Sequence, residues 1–362
     1  MPADTTPDAV QRKIALLDLD AFFAAVEVTK NPALKNIPFA VGGGGERGVV
    51  ATCNYEARKY GVRSAMSGFK ARQLCPHLTF VKPDMASYKE VSKKVRALLS
   101  EYTDLVEPAS IDEFYLDLSH LKSHQGSASL AMEDVRAQLR TMGISGSAGI
   151  SNQKMVAKIA SDENKPDGQF VVPPEQVFSF ISALSLSRIP GVGPKSQERL
   201  ANAGFRLGKD IQRASVEQVQ QILGEKSGYV LHQRCQGIDL REVSVSRTRK
   251  QISVEDTLAR DFAQLKQAEV FIEKFLLPSL KKRLPPGPWQ GTRIRTQTVK
   301  LKFNDFQQTT VSRSANKVSP SLFYQLLGEA WARAKNRKVR LIGLGVTLPD
   351  PDEDRQLELD LE

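Results

Sequence analysis

The chain has 362 residues, of which 41% are hydrophobic and 25% are charged, and its formal net charge is +10. This length suits about two domains and is enough to bury a core without disulfide or metal staples. No apolar run approaches the roughly 18 residues of a transmembrane helix, and residues 1–10 lack the order of a signal peptide. The three cysteines form no zinc or disulfide pattern, so we expect a cytoplasmic protein.

The positive charge is concentrated in the C-terminal third of the sequence. Residues 241–349 carry 21 Lys and Arg against 8 Asp and Glu, whereas residues 350–362 have a net charge of −6. A basic region beside a near-neutral body is typical of a protein that binds a polyanion such as a nucleic acid. A solvated lysine-rich surface and a membrane-surface role are the alternatives, but no amphipathic lysine-rich helix supports the second.

The patterns of the first half predict alternating strands and helices. An apolar run at 12–18 predicts a buried strand, and Asp20 is placed to cap a helix over 20–30. Residues 41–48 (VGGGGERG) predict a turn, without the Gly-Lys-Ser/Thr of a phosphate-binding loop. Further predicted elements are a strand at 48–53, helices at 54–60, 85–103 and 128–142, two short strands around an acidic turn in 106–119, and a strand at 145–150. This mixture favours an α+β domain.

The sequence changes character at residue 173. Helices around a Gly- and Pro-rich turn are predicted from there to about residue 204, and a basic linker is predicted at 241–251. Polar–apolar alternation predicts a strand at 298–303, followed by a helix at 321–335 and a strand at 339–348. We therefore expect a second α+β domain at about 250–349 and a disordered acidic tail after it.

Three carboxylates stand at positions suited to a metal site. Asp18 ends the first predicted strand, and Asp112 and Glu113 lie in the acidic turn. Paired divalent cations need several carboxylate oxygens that converge on one point, and Mg²⁺ prefers such ligands. Carboxylates on two adjacent strands of one sheet would meet that need. The spacing alone does not establish adjacency, and a helix cap and a solvated hairpin turn are the alternative interpretations.

Three further patterns point to binding. Tyr55 and Arg58 lie one helical turn apart. Together with Thr52 and Lys165 they could bind a triphosphate, or they could belong to an exposed basic helix. Residues 189–195 (IPGVGPK) match the turn of a helix–hairpin–helix element, whose glycines let N–H groups approach DNA phosphates, or they are a plain helix connection. The terminal RQLELDLE is typical of a peptide that docks in an apolar groove, or of a frayed tail.

Six segments occur together in one order: DLDAFFAAVE, ATCNYEARKYG, SIDEFYLD, GISNQKMVAKIASDENKPDGQF, IPGVGPK and VKLKFNDFQQTT. Together they closely resemble the Y-family translesion DNA polymerases, and within them the bacterial DinB group, from about Arg12 to the C-terminus. The resemblance implies an α+β multidomain right hand. It assigns a palm to 1–21 and 85–176, small fingers to 22–84, a helical thumb with the helix–hairpin–helix to 177–240, a linker to 241–250, an α+β little finger to 251–349 and a disordered clamp-binding tail to 350–362.

The resemblance also implies the chemistry of the palm. Asp18, Asp112 and Glu113 would be the catalytic carboxylates and would bind metal. The Leu19 backbone carbonyl would add one more metal ligand. The implied cofactor is a pair of Mg²⁺ ions, with Mn²⁺ as a substitute, for two-metal transfer of a dNMP to a primer 3′-hydroxyl.

The nucleotide pocket follows from the same resemblance. Phe23 would be the steric gate that excludes a ribose 2′-hydroxyl, and Phe22 would pack beside the nascent base pair. Both could instead be core residues of a helix. The positions that match the triphosphate site are Thr52, Tyr55, Arg58 and Lys165.

The resemblance also implies contacts with DNA and with a protein partner. The candidate DNA contacts lie in the thumb, the linker and the little finger, and they are Gly191, Gly193, Lys195, Arg247, Arg249, Lys250, Arg293, Arg295, Lys300, Lys302, Arg313 and Arg340. The hexapeptide that binds the sliding clamp is matched at Gln356, Leu357, Leu359 and Leu361. Tethering to the clamp would supply processivity. The expected partners are primer–template DNA, a dNTP and the clamp, with a monomeric chain and no membrane.

No segment resembles a 3′→5′ exonuclease, so the resemblance implies an error-prone, distributive polymerase without proofreading that acts in DNA damage tolerance and repair. Three rival functions can be weighed on the sequence. A palm-type nucleotidyl cyclase would not need the hairpin at 189–195 or a basic second domain. A non-catalytic scaffold would be expected to lack an acidic residue, Arg58 or Lys165, and all are present. A two-metal nuclease has no use for a steric gate or a triphosphate cluster.

Overall fold

The computed structural model describes residues 11–246, 248–285, 287 and 292–350. The chain divides into two compact units, with the division after Ser246. Each unit has its own sheet and hydrophobic core. Within the described ranges, no helix has the length and apolar character needed to span a bilayer. The limits of palm, fingers, thumb and linker inside these units remain predictions.

The first unit mixes short strands and helices, as the sequence predicts. Its strands are β1 (Ile14–Leu19), β2 (Phe39–Gly42), β3 (Val50–Cys53), β4 (Thr79–Val81), β5 (Val106–Pro108), β6 (Glu113–Asp117), β7 (Gly146–Ser151) and β8 (Gln169–Val171). Its helices are α1 (Phe22–Lys30), α2 (Tyr55–Lys59), α3 (Gly68–Leu74), α4 (Met85–Leu99), α5 (Ala128–Thr141), α6 (Lys154–Ala160), α7 (Val177–Ala183), α8 (Pro194–Asn202), α9 (Gly208–Arg213), α10 (Val216–Leu223) and α11 (Glu225–Cys235). Single 3₁₀ turns lie at Pro32–Leu34, His124–Gly126, Pro174–Gln176 and Leu186–Arg188.

Five strands form the central sheet of the first unit, in the order β5–β6–β1–β7–β8. Every residue of the central strand β1 is buried, and alternate side chains face opposite sides of the sheet. The odd-numbered residues of β1 join the main core with α4 and α5, whereas Ile14 and Leu16 pack against Ala157 of α6. By the same alternation, Asp18 faces α6.

Helix α6 lies directly against β7. A Cβ atom on Gly149 would lie 2.0 Å from the Ala157 carbonyl oxygen and 2.3 Å from the Ser161 amide nitrogen, so glycine is required at this position. Strand β7 pairs in turn with β1, with Gly149 opposite Leu16. This close approach holds α6 beside the strand that carries Asp18.

Two smaller cores complete the first unit. The sheet β3–β2–β4 packs with α2 and α3 around Ala40, Cys53 and Cys75. Asn54 starts α2 because its side-chain oxygen accepts the Ala57 amide hydrogen at 3.0 Å. Helices α7 to α11 surround a separate cluster that includes Cys235. All three cysteines are therefore free and buried.

The second unit is a four-stranded sheet with helices on one side. Its strands are β9 (Gln251–Phe262), β10 (Thr296–Phe303), β11 (Gln308–Ser314) and β12 (Val339–Thr347), in the order β11–β10–β12–β9. Its helices are α12 (Leu265–Phe271), α13 (Leu277–Arg283) and α14 (Pro320–Ala332), and a π-helical turn at Ile272–Leu276 joins the first two.

The sheet of the second unit is buried on one face only. Along β10, odd-numbered residues are buried and even-numbered residues are partly exposed. The buried residues pack with α12, α13 and α14, whose contributions include Ala268, Leu280 and Phe323. The opposite face carries Lys300 and Lys302 and is open to solvent.

Several predicted boundaries differ from the structure. The prediction that Asp20 caps the first helix is wrong, because Ala21 occupies the N-cap position with φ of +44° and no side chain caps the helix. The helix predicted over 85–103 ends at Leu99, since Ser100 is its C-cap. Strand β9 was not predicted, because exposed positions interrupt its apolar alternation. Residues 241–246 lie on the first unit, where Val243 is buried.

Candidate active site

The three candidate carboxylates lie at the adjoining ends of β1 and β6. These strands pair antiparallel, with Asp18 directly opposite Glu113. The Leu19 amide donates to the Asp112 carbonyl oxygen at 2.9 Å, which fixes the acidic turn beside β1. The Ser110 hydroxyl donates to the Asp112 carboxylate at 2.5 Å. The structure thus brings together three residues whose adjacency the sequence left open.

Two ammonium groups contact these carboxylates. Lys158 of α6 bridges the strands, with its Nζ 2.9 Å from Asp18 Oδ2 and 2.5 Å from Glu113 Oε1. Lys165 approaches from the loop after α6, with its Nζ 2.7 Å from Asp18 Oδ2. Lys158 reaches both acids because α6 packs on the face of the sheet toward which Asp18 points.

The charges in this cluster shift one another's titration. Burial alone would raise the pKa of Asp18, but the Lys158 and Lys165 ammonium groups outweigh burial and lower it. Burial raises the pKa of Glu113, against the Lys158 ammonium and with the help of the neighbouring Asp18 and Asp112 charges. Burial alone would lower the pKa of Lys158, but the two carboxylates raise it well above its usual range. The cluster therefore favours charged Lys158 beside charged Asp18.

A cavity of about 190 Å³ opens beside the carboxylates. Its lining includes the predicted catalytic and nucleotide-binding residues with one exception, since Glu113 is not part of it. The residues that line it are Asp18, Leu19, Asp20, Ala21, Phe22, Phe23, Ala51, Thr52, Tyr55, Arg58, Ser64, Asp112 and Lys165. Side chains from two separate predicted regions, palm and fingers, thus face one space.

The predicted triphosphate residues form a polar side of this cavity. The Arg58 guanidinium lies 4.6 Å from the centre of the Tyr55 ring, as expected for residues one turn apart in α2. The Tyr55 hydroxyl is shielded from solvent and has no hydrogen-bond partner in the described chain. Burial raises the pKa of Tyr55, so the hydroxyl remains a donor. An orphaned donor beside Arg58 and Lys165 suits an anionic ligand.

The two phenylalanines of α1 have different environments. Phe23 is half-buried, and its ring stacks on Tyr88 of α4 at 4.3 Å and 10°. The Tyr88 hydroxyl donates to the buried Glu27 carboxylate at 2.6 Å, which fixes the ring beneath Phe23. Phe22 is 2% exposed and belongs to the core, although its edge reaches the cavity. Of the two phenylalanines, Phe23 is therefore the one that is partly exposed at the cavity.

Sequence reasoning missed Lys158 and Tyr88, and it gave Asp20 the wrong role. Lys158 stands in the apolar stretch MVAKIA, and a lysine inside an apolar helix signals a buried, paired charge. Tyr88 looked like an ordinary core residue, because its stacking on Phe23 depends on how α1 and α4 pack. The long-range partners of Asp20 left no local signal.

The oxygen atoms of this carboxylate cluster are of the type that binds a divalent cation. Carboxylates and a backbone carbonyl, here that of Leu19, are the hard ligands that Mg²⁺ and Mn²⁺ prefer. Among the described residues, no group of three or more His, Cys, Asp and Glu side chains is arranged to hold a metal ion. Lys158 and Lys165 engage the Asp18 and Glu113 carboxylates instead. Cation binding therefore requires these ammonium groups to release carboxylate oxygens.

The thumb candidates lie at the start of α8. Gly191 has φ of +93°, and Gly193 is the N-cap of α8. Arg234 braces this turn by donating to the Pro190 carbonyl oxygen at 2.7 Å. Lys195 is exposed on the first turn of α8. This arrangement leaves backbone and lysine groups of the turn accessible to a phosphate.

The basic candidates of the second unit do not share one face. Lys300 and Lys302 lie on the open face of the sheet, where Lys300 pairs with Glu255 at 2.9 Å. The Lys302 and Arg340 cations lie 5.1 and 4.9 Å from the ring centre of the exposed Phe306. Arg313 instead pairs with Glu329 of α14 at 2.5 Å, on the helix-covered side. The exposed residues that precede the strands are Arg249, Lys250, Arg293 and Arg295.

Five predicted site residues are outside the described part of the chain. One is the linker residue Arg247. The others are the predicted clamp-binding residues Gln356, Leu357, Leu359 and Leu361. Their assignment remains a prediction from the sequence.

Three family models match the chain. The impB/mucB/samB family matches residues 17–162, its C-terminal domain matches residues 249–359, and the thumb domain of DNA polymerase-iota matches residues 187–239. Together they cover most of the sequence, including the carboxylates, the hairpin at 189–195 and the open-faced sheet.

Curated proteins and solved structures agree with these models. The chain is 45% identical to DNA polymerase IV of Colwellia psychrerythraea (97% of this chain, 99% of that protein) and 47% identical to DNA polymerase IV of Shewanella oneidensis (94% and 95%). Its structure resembles a Y-family DNA polymerase chimera of Dbh and Dpo4 with a TM-score of 0.84, 28% identity, and coverage of 92% of this chain and 98% of that one. It also resembles an insertion ternary complex of Dbh DNA polymerase, with a TM-score of 0.63, 27% identity, and coverage of 93% and 98%.

A catalytic-type carboxylate cluster on a central sheet, beside a cavity with cationic walls, is the arrangement of a nucleotidyl-transferring palm. With near full-length identity above 40%, the chain belongs to the impB/mucB/samB family, the Y-family DNA polymerases. It is a DNA-directed DNA polymerase, and its family generally uses divalent metal ions.

Proposed function

We propose that this polymerase extends primers across damaged templates, without proofreading and with low processivity, as part of DNA damage tolerance and repair in the bacterial cytoplasm. The observation that carries the proposal is the shared cavity of Asp18, Asp112, Phe23, Arg58 and Lys165. A cyclase or nuclease would use the carboxylates but not the aromatic wall. A scaffold would need none of these side chains to converge.

The metal would be held by Asp18, Asp112, Glu113 and the Leu19 carbonyl. Two divalent cations, Mg²⁺ or Mn²⁺, would supply Lewis-acid activation of the primer 3′-hydroxyl and charge neutralisation at the phosphates. The protein's own contribution is to fix these oxygens. The antiparallel pairing of Asp18 with Glu113 and the Leu19–Asp112 hydrogen bond do so without further folding.

The incoming dNTP would occupy the cavity. Arg58, Lys165 and the unpartnered Tyr55 hydroxyl would bind its triphosphate, with Thr52 beside them. Phe23 would lie against the sugar, where its ring leaves no room for a 2′-hydroxyl. Tyr88 supports that ring from below, so the exclusion relies on packing rather than on a hydrogen bond.

Primer–template DNA would be held by charge rather than by base recognition. The turn before α8 offers the exposed Lys195, and the open sheet face of the second unit offers partly exposed cations, including Lys300, Lys302 and Arg340. Phosphate contacts of this kind give affinity without sequence preference. The tail at 356–362 would recruit the sliding clamp and supply processivity through a high local concentration.

The decisive experiment is primer extension on a gapped template with Mg²⁺ and dNTPs, comparing wild type with Asp112→Ala. The wild type should add a few nucleotides, and the variant should be at least about a thousandfold slower, because it loses a metal-binding carboxylate. Its affinity for DNA should stay within about threefold of wild type. A wild type that binds DNA without extending it, or an active variant, contradicts the proposal.

The clamp assignment needs its own experiment. Truncation after residue 355 should abolish the stimulation of extension by added clamp, because the docking peptide is gone. Extension without the clamp should match that of the full chain and serves as the control. If the truncated chain is still stimulated, the clamp binds elsewhere.

A further inference from the structure

Asp20 lines the active-site cavity. It is not one of the predicted catalytic residues, and it does not cap helix α1. Its side chain is 4% exposed. Its Oδ1 accepts the Ser147 hydroxyl at 2.8 Å, and its Oδ2 accepts the Ser145 hydroxyl at 2.9 Å and the Asp167 amide at 2.8 Å. Both oxygens are thus engaged by protein donors. The prediction of a cap fails because the N-cap residue of α1 is Ala21, which has a left-handed conformation.

A buried carboxylate needs a strong reason to be retained. The three groups that donate to Asp20 are two serine hydroxyls and one backbone amide. Burying a carboxylate is costly unless its oxygens are hydrogen-bonded, and a residue with a single acceptor oxygen would hold fewer of these donors. The two oxygens of this carboxylate accept from β7 or its preceding residue and from the loop after α6 at the same time.

The loop after α6 is closely packed and hydrogen-bonded at Asp167 and Gly168. The backbone of Asp167 has φ of +49°, and a Cβ atom on Gly168 would lie 1.8 Å from the Asn164 carbonyl oxygen. Arg140 of α5 lies 3.0 Å from the Asp167 carboxylate, and Arg136 donates to it at 3.1 Å. Asp167 is therefore held from two sides, by Asp20 through its amide and by α5 through its carboxylate.

Lys165 lies two residues before Asp167, whose amide donates to Asp20. Its ammonium group lies 2.7 Å from Asp18 and 2.8 Å from Asp162, at the cavity wall. Where that ammonium group lies depends on where the loop backbone is fixed. The hydrogen bond from the Asp167 amide to Asp20 holds this backbone two residues after Lys165.

We infer that Asp20 is a positioning residue: by holding the Asp167 amide, it sets the place of Lys165 and thereby the affinity for the incoming dNTP. The inference rests on the proposed role of Lys165 in triphosphate binding. Asp20 touches neither metal nor substrate in this scheme. Loss of its charge should weaken nucleotide binding while DNA binding persists.

The test uses the full-length protein with Mg²⁺, DNA that carries a dideoxy-terminated primer, and the correct dNTP. Nucleotide binding is measured by fluorescence titration, independently of turnover. Asp20→Asn should raise the Kd for the dNTP about tenfold, because the hydrogen bonds to a charged acceptor are lost or weakened. The Kd for DNA should change by less than about twofold, since its phosphate contacts lie elsewhere.

The double-mutant cycle with Lys165→Ala separates positioning from a general structural defect. If Asp20 acts through Lys165, adding Asp20→Asn to Lys165→Ala should cause little further loss of dNTP affinity. Multiplicative effects, or an Asp20→Asn protein that binds dNTP like wild type, would overturn the inference. A wild type that neither binds dNTP nor extends primers would instead overturn the proposed function.

Two further variants guard against misfolding. Asp239 is another buried aspartate, 5% exposed, that accepts the Met155 amide at 2.9 Å. Asp239→Asn should lower the urea midpoint but leave the Kd for dNTP within about twofold of wild type.

If Asp20→Asn does not fold, Asp167→Ala is the alternative variant, because it removes the contacts of the Asp167 carboxylate with α5. It should raise the Kd for dNTP about threefold. No change with Asp167→Ala in that event would contradict the inference.

Discussion

The two units of this polymerase place their charged side chains in contrasting ways. In the first unit, Lys158 and Lys165 are largely shielded from solvent, and both contact the buried Asp18. In the second unit, the pair of Lys300 with Glu255 lies on an open sheet face, and half of the glutamate side chain is exposed. One region has a fixed geometry of opposite charges, and the other has a solvated cationic surface.

This difference matches two physical tasks. Phosphoryl-transfer chemistry depends on atoms held within tenths of an ångström, which only buried and mutually bonded groups provide. Gripping DNA of any sequence depends on charge near phosphates and tolerates movement of each side chain. Substitutions should therefore have large, specific effects in the first unit and small, additive effects in the second.

After the loss of a carboxylate, the largest effect is expected at Phe23, the aromatic side of the cavity. Phe23→Val should raise ribonucleotide incorporation relative to deoxyribonucleotide incorporation about hundredfold, because the ring that fills the sugar space is lost. The measurement is single-nucleotide addition with matched dNTP and rNTP.

The neighbouring Phe22 is the matched control. Because it is buried in the core, Phe22→Val should lower the free energy of unfolding by about 2 kcal/mol. Its sugar selectivity should stay near that of wild type. If the two variants behaved alike, the cavity-facing assignment of Phe23 would be wrong.

The next effect distinguishes the shielded ion pairs of Lys158 in the first unit from the exposed Lys300–Glu255 pair in the second. In metal-free protein, Lys158→Met should lower the free energy of unfolding by about 2 kcal/mol at pH 7, because Asp18 and Glu113 lose their bridge. Lys300→Met, which removes an exposed pair, should cost less than about 0.5 kcal/mol. Urea unfolding in EDTA measures both, and equal losses would erase the contrast between the units.

The stability cost of Lys158→Met should also depend on pH. The pKa of Asp18 is lowered in the folded protein, so its ionised form adds stability above the unfolded value of 3.8. That contribution disappears as the pH falls through the lower folded pKa. The raised pKa of Glu113 has the opposite sign, since protonation favours the folded state. The cost of Lys158→Met should therefore shrink below about pH 4, and a constant cost would contradict the charge-based explanation.

A smaller effect is expected on the open sheet face. Lys302→Ala and Arg340→Ala should each raise the Kd for primer–template DNA about threefold and lower the salt slope by about 0.9. Arg313→Ala is the control, because Arg313 pairs with Glu329 on the helix-covered side. Binding titrations at several salt concentrations test this, and equal slopes for all three variants would show that the faces are not distinguished.

The smallest expected signal is thiol reactivity of the native protein. All three cysteines belong to the first unit and are buried, and burial raises the pKa of Cys235 to about 12. A thiol reagent at pH 7.5 should leave the folded chain unmodified and label it once the first unit unfolds. Trp331, packed on the core of the second unit, reports that unit by fluorescence. Labelling without denaturant would show that the first unit opens locally.

Local patterns in the sequence predicted many elements of the fold. Apolar periodicity predicted β1, α5 and β12 to within about two residues, because each has one continuous buried face. Strand β9 escaped prediction because its exposed stretch includes Glu255 and Asp256, and only its pairing with β12 makes it a strand.

The sequence predicted the residue types of the candidate active site and could not predict their contacts. Asp18, Asp112 and Glu113 were candidates from their positions at a strand end and in an acidic turn, and only the family resemblance implied a shared catalytic role for them. Lys158 and Asp20 could not be placed from the sequence, since their partners lie far away along the chain and meet only through strand register and the docking of α6. Long-range pairing, rather than propensity, decides those roles.

Gly149, which lies beneath α6, limits how Lys158 can move. Because Gly149 leaves no gap between helix and sheet, α6 has no room to slide, and the backbone of Lys158 stays where it is. Any exchange of its ammonium group for another cation at Asp18 must then occur by rotation about side-chain bonds. Release of the Asp18 and Glu113 carboxylates by Lys158 therefore requires breaking its two ion pairs, but no movement of α6 or of the central sheet.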